Sequence, residues 1–354
     1  MKLLIAAGGT GGHIFPGISV AEAFSAEMAG EVFFTGTPYG LEGTLVPTYG
    51  YRLVTIEARP FSGTSARAKA RTLAAVLRGT LQGRRLIKAE RPDAILGMGG
   101  FTSVPIVLAG LSLGVPCFIH EQNVSPGMAN RLLAGRVRAT FVSFAETARY
   151  LKARQVVHTG NPIRKTMRGK REEKGTSDFA IFVFGGSRGA RSINDAVLGL
   201  LPYLDAQGRT VLYHQTGQED FERIAAGYNG ARAVHEVFPF TDRMEKYYNL
   251  ADLVIARAGA SAIFELSYFR RPAILIPYPF AAGGHQSKNA AHVENLGGGY
   301  VIENRELSGK TLYAPIRELR ENRERLARMA ENIGSIYVED AEKKVIRGIQ
   351  AGVS

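Results

Sequence analysis

The chain has 354 residues, 45% hydrophobic and 9% aromatic, longer than one core usually extends and ordinary in composition for a globular protein of two domains. Its 44 basic against 32 acidic residues leave a net charge of +12, which calls for an anionic partner: nucleic acid, nucleotide or an anionic membrane. A single cysteine, Cys117, excludes an intramolecular disulfide and points to a reducing compartment.

In chain order, the opening "MKLLIAAGG" is too short an apolar stretch for a signal-peptide core, so no secretion is expected. Apolar strand-like runs then recur with helical patterns between them: "KLLIAA", "EVFFTG", "RLVTIE", "DAILGMG", "VPCFIHE", "ATFVSF" and "VVHTG". The stretch from Asp93 to His120 carries no charge between its ends, but glycines, Pro105 and Pro116 break it into strand, turn, helix and strand rather than a membrane span. A charged segment, "GNPIRKTMRGKREEKGTSD" (160–178), reads as the interdomain linker. A second series follows: "FAIFVFGG", "TVLYHQTG", "AVHEVFPF", "DLVIARAG", "PAILIPYP" and "GYVIE". This alternation predicts an α/β chain with two parallel sheets built of βαβ units. The tail reads as helical with a break near Gly334. The expected domains are 1–162 and 163–335, with the last helix, about 336–354, packing back on the first.

Glycine loops carry the chemistry. "GGTGGHIFPG" (8–17), "GMGGF" (97–101) and "FGGSRGARS" (184–192) each follow a predicted strand. Glycine allows positive φ and close backbone approach, so successive N–H groups can face an anion at a helix start. Pro16 suits the first helical position of the segment beginning "PGISVAEAF". Neither the first loop nor the third has the dinucleotide spacing G-x-G-x-x-G, and the P-loop signature is absent, so nucleotide binding is expected in neither mode. A fourth constellation spans 257–302: Gly259–Ser261 follows the strand "DLVIA" and opens a helix, Glu265 lies one turn in where a carboxylate can accept ribose hydroxyls, and "HQSKNA" starts another helix. His285, Gln286 and Asn289 there are neutral groups of the kind that read sugar hydroxyls. His120, His158, His214, His235 and His292 read as structural, and Glu121 as either a structural partner or an acid.

The collinear order GGTGGH, HEQN, GNP-x-R, GGS-x-GA, AGAS followed by Glu, and HQ-x-x-NA resembles one family over nearly the whole chain. It is similar to the bacterial MurG family, the UDP-N-acetylglucosamine–N-acetylmuramyl-(pentapeptide) pyrophosphoryl-undecaprenol N-acetylglucosamine transferases. The resemblance implies a GT-B architecture, two Rossmann-like lobes facing across a cleft, with acceptor on the N-terminal lobe and UDP-GlcNAc mainly on the C-terminal one. It implies transfer of GlcNAc to the C4 hydroxyl of MurNAc in lipid I, giving lipid II with inversion. Carried over by motif, Thr10, Gly11 and Gly12 lie near the donor sugar and diphosphate, with His13 beside the reacting centre as candidate general base. Asn123 reaches the transferred sugar, Arg164 and Ser187 meet phosphates or nucleoside, and the Thr241 backbone pairs with uracil. Gly259, Ala260 and Ser261 face the phosphates, Glu265 the ribose and Gln286 the GlcNAc hydroxyls. Phe101, Arg188 and Ala262 depart from the residues usual at their places.

The residues add two expectations. No two of the eight aspartates have D-x-D spacing, so the leaving diphosphate is expected to be stabilised without a metal or cofactor, by backbone N–H groups, helix dipoles and Arg164. From Arg59 to Arg91 nine basic residues stand against Glu90 alone, interleaved with Leu73, Val76, Leu77 and Leu81. Such a basic amphipathic helix suits an anionic membrane surface. With the resemblance it implies a peripheral protein at the cytoplasmic face of the bacterial inner membrane, with other cell-wall synthesis proteins as neighbours. Three alternatives remain: a nucleic-acid binder, which the lack of any recognisable module disfavours; a UDP-GlcNAc 2-epimerase; and a GT-B transferase for another acceptor.

Overall fold

The computed structural model describes residues 1–59, 65–169, 178–205 and 210–353. Residues 60–64 of the basic strip and 170–177 of the charged linker lie outside these, as does the Lys69 side chain. The chain divides into two compact units, Met1–Arg164 together with Val338–Ser354, and Lys165–Tyr337.

The first unit runs β1 (Lys2–Ala6), α1 (Gly11–Met28), β2 (Glu31–Gly36), α2 (Glu42–Thr48), β3 (Arg52–Thr55), α3 (Ala66–Glu90), β4 (Ala94–Gly97), α4 (Gly100–Ser112), β5 (Cys117–Glu121), α5 (Met128–Leu133), β6 (Ala139–Val142) and β7 (Val156–His158). Its 7-stranded sheet has the order β3-β2-β1-β4-β5-β6-β7, every pairing parallel. Helices cover both faces, which is why the strands read as unbroken apolar runs. Leu3 and Ile5 pack with Ile14, Ile18 and Phe24 on one face, while Leu4 and Ala6 pack with Ile106 and Val107 on the other.

The second unit runs β8 (Phe179–Phe184), α6 (Arg191–Asp205), β9 (Thr210–Gln215), α7 (Phe221–Gly227), β10 (Val234–Phe238), α8 (Met244–Leu250), β11 (Leu253–Ala256), α9 (Ala260–Phe269), β12 (Ala273–Leu275), α10 (His285–Asn295), β13 (Gly299–Val301), α11 (Gly309–Glu321) and α12 (Arg323–Gly334). Its 6-stranded sheet, β10-β9-β8-β11-β12-β13, is again wholly parallel. Ile181 and Val183 face an aliphatic cluster with Val197, Leu200 and Ile316. On the opposite face Phe182 meets Tyr247 and Tyr248 at 5.4 and 5.5 Å between ring centroids.

The final helix, α13 (Ala341–Val353), belongs to the first unit. Val345, Ile346 and Ile349 are fully buried beside Phe118 and Phe141, each contributing roughly 1.5–3 kcal/mol of apolar burial. Gly348 and Gly352 permit the approach, because a Cβ at either would strike Phe141 or Phe118.

Two boundaries differ from the sequence reading. The first helix begins at Gly11, so Pro16 lies inside it rather than at its first position. Proline there forfeits the bond to the Gly12 carbonyl four residues back, and its ring stands against that carbonyl. The tail breaks at Asn322 as well as near Gly334: Asn322 leaves helical geometry (φ −117°, ψ 82°), and its Oδ1 accepts the Arg325 N–H at 2.9 Å to cap α12.

Candidate functional site

In both sheets the strand order reverses about a central pair, β1 and β4 in the first unit, β8 and β11 in the second. Ligands of doubly wound sheets bind at the carboxyl ends of strands beside that reversal. The glycine loops stand at those ends.

In the first unit, Thr10 is the N-cap of α1 with extended backbone (φ −129°, ψ 156°), and its hydroxyl does not cap the helix. Its Oγ1 lies 3.4 Å from His13 Nδ1 instead. The Gly11 and Gly12 N–H groups, first in the helix, have no partner among the described residues and add to the positive end of the helix dipole. His13 therefore belongs to the first helical turn and not to a loop. Its ring lies over the β4–α4 turn: a Cβ built on Gly99 or Gly100 would come within 3.3–3.4 Å of imidazole atoms. Both turn residues have positive φ, +88° and +74°, so the backbone geometry calls for glycine there.

The loop from Gly8 to Thr10 is held by a residue absent from the sequence reading. Glu42, fully buried at the start of α2, accepts the Gly9 N–H on Oε2 at 3.0 Å. Its Oε1 accepts the Thr37 N–H and hydroxyl, both at 2.8 Å. A Cβ on Gly36 or Gly40 would collide with that side chain. A signal existed in "GTPYGLEG", one acid among glycines just after a strand, but only the β1–β2 pairing sets it beside the first loop.

Following β5, Asn123 donates its N–H and side-chain amide to Glu121 Oε1 at 3.0 and 3.1 Å. Glu121 Oε2 accepts from the Gly127 N–H and Asn130 Nδ2 at 2.9 and 2.8 Å. These four donors commit Glu121 to shaping the loop that presents Asn123. His120 is wholly buried between Gly160 O (3.2 Å) and the Gln122 amide (3.1 Å), and burial lowers its pKa to about 4. Arg164 places its guanidinium 4.7 Å from the Phe15 ring centroid, against α1.

In the second unit, Gly185 to Ala190 form the turn after β8, with positive φ at Gly186 and Gly189 and Ser187 exposed at its tip. Thr241 donates its N–H to Gln215 Oε1 at 3.2 Å. After β11, Gly259 caps α9 with extended backbone, and the N–H groups of Ala260, Ser261 and Ala262 end without partners among the described residues. Ser261 Oγ is buried and also unbonded among them. Glu265, one turn on and 8% exposed, accepts the Tyr248 hydroxyl on Oε2 at 3.0 Å. Gln286, in the first turn of α10, accepts the Tyr278 N–H on Oε1 at 2.9 Å, which leaves its amide hydrogens to donate. Asn289 is turned inward, fully buried, and donates to the Ala258 carbonyl at 3.2 Å. It braces the start of α9 instead of reading a sugar. Arg257, also unforeseen, ties Ser192, Ile276, Pro277 and Asn304 together through its guanidinium.

One helix face points to a different partner. On α3, Leu73, Leu77 and Leu81 form an i, i+4, i+8 stripe and are 61%, 58% and 60% exposed. Arg67, Arg71, Arg85 and Lys88 are exposed on the same helix. Gly79 and Gly83 lie on the inward side, where a Cβ would press on Glu57 or on Ile106 and Ala109 of α4. Arg78 is paired with Glu57 at 3.3 Å. Among the described residues no helix is long and apolar enough to cross a membrane.

Comparison with known proteins agrees with this anatomy. Residues 3–142 match the glycosyltransferase family 28 N-terminal domain and residues 180–345 its C-terminal domain. The UDP-N-acetylglucosamine–N-acetylmuramyl-(pentapeptide) pyrophosphoryl-undecaprenol N-acetylglucosamine transferase of Geotalea uraniireducens is 40% identical over 98% of this chain and 97% of its own. The protein of the same name from Geobacter sulfurreducens is 41% identical with the same coverage. The crystal structure of Acinetobacter baumannii MurG superposes with a TM-score of 0.82 at 28% identity, covering 99% of each chain. The chain belongs to glycosyltransferase family 28, within the MurG group of N-acetylglucosamine transferases.

Proposed function

We propose that the chain transfers GlcNAc from UDP-GlcNAc to the C4 hydroxyl of MurNAc in lipid I, the undecaprenyl-pyrophosphoryl-MurNAc-pentapeptide, forming lipid II with inversion. The observation that carries this reading is the start of α9. N–H groups and a buried Ser261 hydroxyl that have no partner among the described residues converge there, one helical turn from the Glu265 carboxylate. Such a cluster suits a diphosphate followed by a ribose diol.

In this reading the second unit takes the nucleotide sugar. Gly259, Ala260 and Ser261 hold the diphosphate, Glu265 accepts the ribose hydroxyls, Thr241 and Ser187 border the nucleoside, and Gln286 donates to the GlcNAc hydroxyls. The first unit supplies the reacting groups. In the tautomer that directs Nδ1–H at Thr10 Oγ1, His13 Nε2 is the nitrogen that takes the proton from the acceptor hydroxyl. That oxygen attacks the anomeric carbon as the bond from this carbon to the β-phosphate oxygen breaks, and UDP departs with the electron pair. Gly11, Gly12 and Arg164 meet the charge that grows on the leaving group, with no metal required. Asn123 contacts the transferred sugar. The exposed leucines of α3, flanked by cations, rest on the anionic cytoplasmic leaflet where lipid I resides.

The test is acceptor dependence. Incubation with UDP-GlcNAc should release UDP only when lipid I is present. Release of UDP together with N-acetylmannosamine, without acceptor, would instead identify a 2-epimerase.

A further inference from the structure

We propose that Glu42 is a positioning residue for the transfer, acting through the loop that holds Thr10 and leads into the helical turn of His13; the proposal rests on the reading of that segment as the reacting one. Glu42 touches no atom that the proposed reaction changes. Its carboxylate lies under the loop, fully buried, with Oε2 on the Gly9 N–H and Oε1 on both donors of Thr37. Thr37 directly follows β2, which pairs in register with all five residues of β1. One side chain thus ties the turn after β1 to the turn after β2.

The surroundings show that the space is made for this carboxylate. Gly36 and Gly40 each lack the Cβ that would occupy it, and a Cβ on Gly8 would stand 2.8 Å from Glu42 Oε1 and 2.8 Å from Thr102 Cγ2. Gly8 is therefore gripped between the buried acid and α4. Gly9, at φ +91°, is a residue whose conformation glycine does not itself restrict. The bond to Glu42 Oε2 supplies that restriction two residues before α1 begins. Once the Gly9 peptide is fixed, the Gly11 and Gly12 N–H groups and the His13 ring have fixed directions. Pre-set donors of this kind stabilise developing charge without reorganising during the reaction.

Glu42→Gln keeps the shape; its one oxygen serves the two Thr37 donors best, so its NH2 group faces the Gly9 N–H and that tie is lost. Thr37→Val is the matched control: it removes the hydroxyl bond to Oε1 and leaves the Gly9 bond intact. With UDP-GlcNAc and lipid I, Glu42→Gln should lower kcat between about tenfold and a hundredfold, with KM for UDP-GlcNAc unchanged within about twofold, because the donor is held by the second unit. Thr37→Val should stay close to wild type in kcat. Hydrogen exchange gives a readout independent of activity: the hydrogen-bonded amides of Gly9 and His13 should exchange at least about tenfold faster in Glu42→Gln, and not in Thr37→Val. Equal kcat losses in the two variants, or unchanged exchange at Gly9 and His13, would overturn the proposal. Inactive wild-type protein whose exchange pattern follows the expectation would instead fault the assigned reaction and leave the tether standing.

Discussion

His13 occupies the first turn of α1 with one ring nitrogen 3.4 Å from the Thr10 hydroxyl. If Nδ1–H donates to that hydroxyl, Thr10 selects the tautomer whose Nε2 accepts a proton. Thr10→Ala should then lower kcat by about tenfold with little change in KM for UDP-GlcNAc, while Thr10→Ser restores it; equal losses in both variants would reject the tautomer role. Two other histidines act on stability. His120 and His214 are buried, and burial lowers their pKa values to about 4 and about 3. Each is neutral and hydrogen-bonded: His120 to Gly160 and Gln122, His214 to Tyr228 and Asn194. In the unfolded chain they titrate near 6.5 and bind protons that the folded state refuses. Stability from these groups is present above about pH 6.5 and is lost as pH falls toward 4. Urea unfolding at pH 7.5 and pH 5 should show a drop of a few kcal/mol at the lower pH. His214→Asn should roughly halve that dependence, because His120 still contributes.

Among elements, α3 makes the plainest claim on a partner. Three leucines about 60% exposed in one stripe, with cations beside them, are costly in water unless something covers them. Sedimentation with vesicles containing phosphatidylglycerol should retain the protein at low salt and release it as salt rises. Replacing Leu73, Leu77 and Leu81 with serine should abolish retention without altering UDP-GlcNAc binding. Equal binding to neutral vesicles would exclude the electrostatic contribution. The elements also show what the sequence could reveal. Strands buried on both faces, such as "KLLIAA" and "FAIFVF", stand out as apolar runs, while the more exposed β3, β7 and β10 were legible from their place in the alternation. The start of α1 was not, because Gly11, Gly12 and Pro16 all carry loop propensities that the N-terminal position tolerates. The break at Asn322 was hidden inside a continuous helical pattern and is visible only through its cap. Glu42 and Arg257 escaped for another reason: each acts on residues distant in sequence, and strand pairing must be known before their partners are.

At the scale of the whole molecule, two sheets of the same winding present glycine loops at equivalent ends. The motif set made the family and the reaction readable before any coordinates, whereas the burial of Asn289 and the commitment of Glu121 to its loop emerged only from packing. The account stands on one chemical event. Purified protein given labelled UDP-GlcNAc and lipid I, with EDTA present, should transfer the label to lipid I in β-linkage, and His13→Ala should slow this by roughly two to four orders of magnitude. No transfer to lipid I by the wild-type protein, or transfer with retained anomeric configuration, would contradict it.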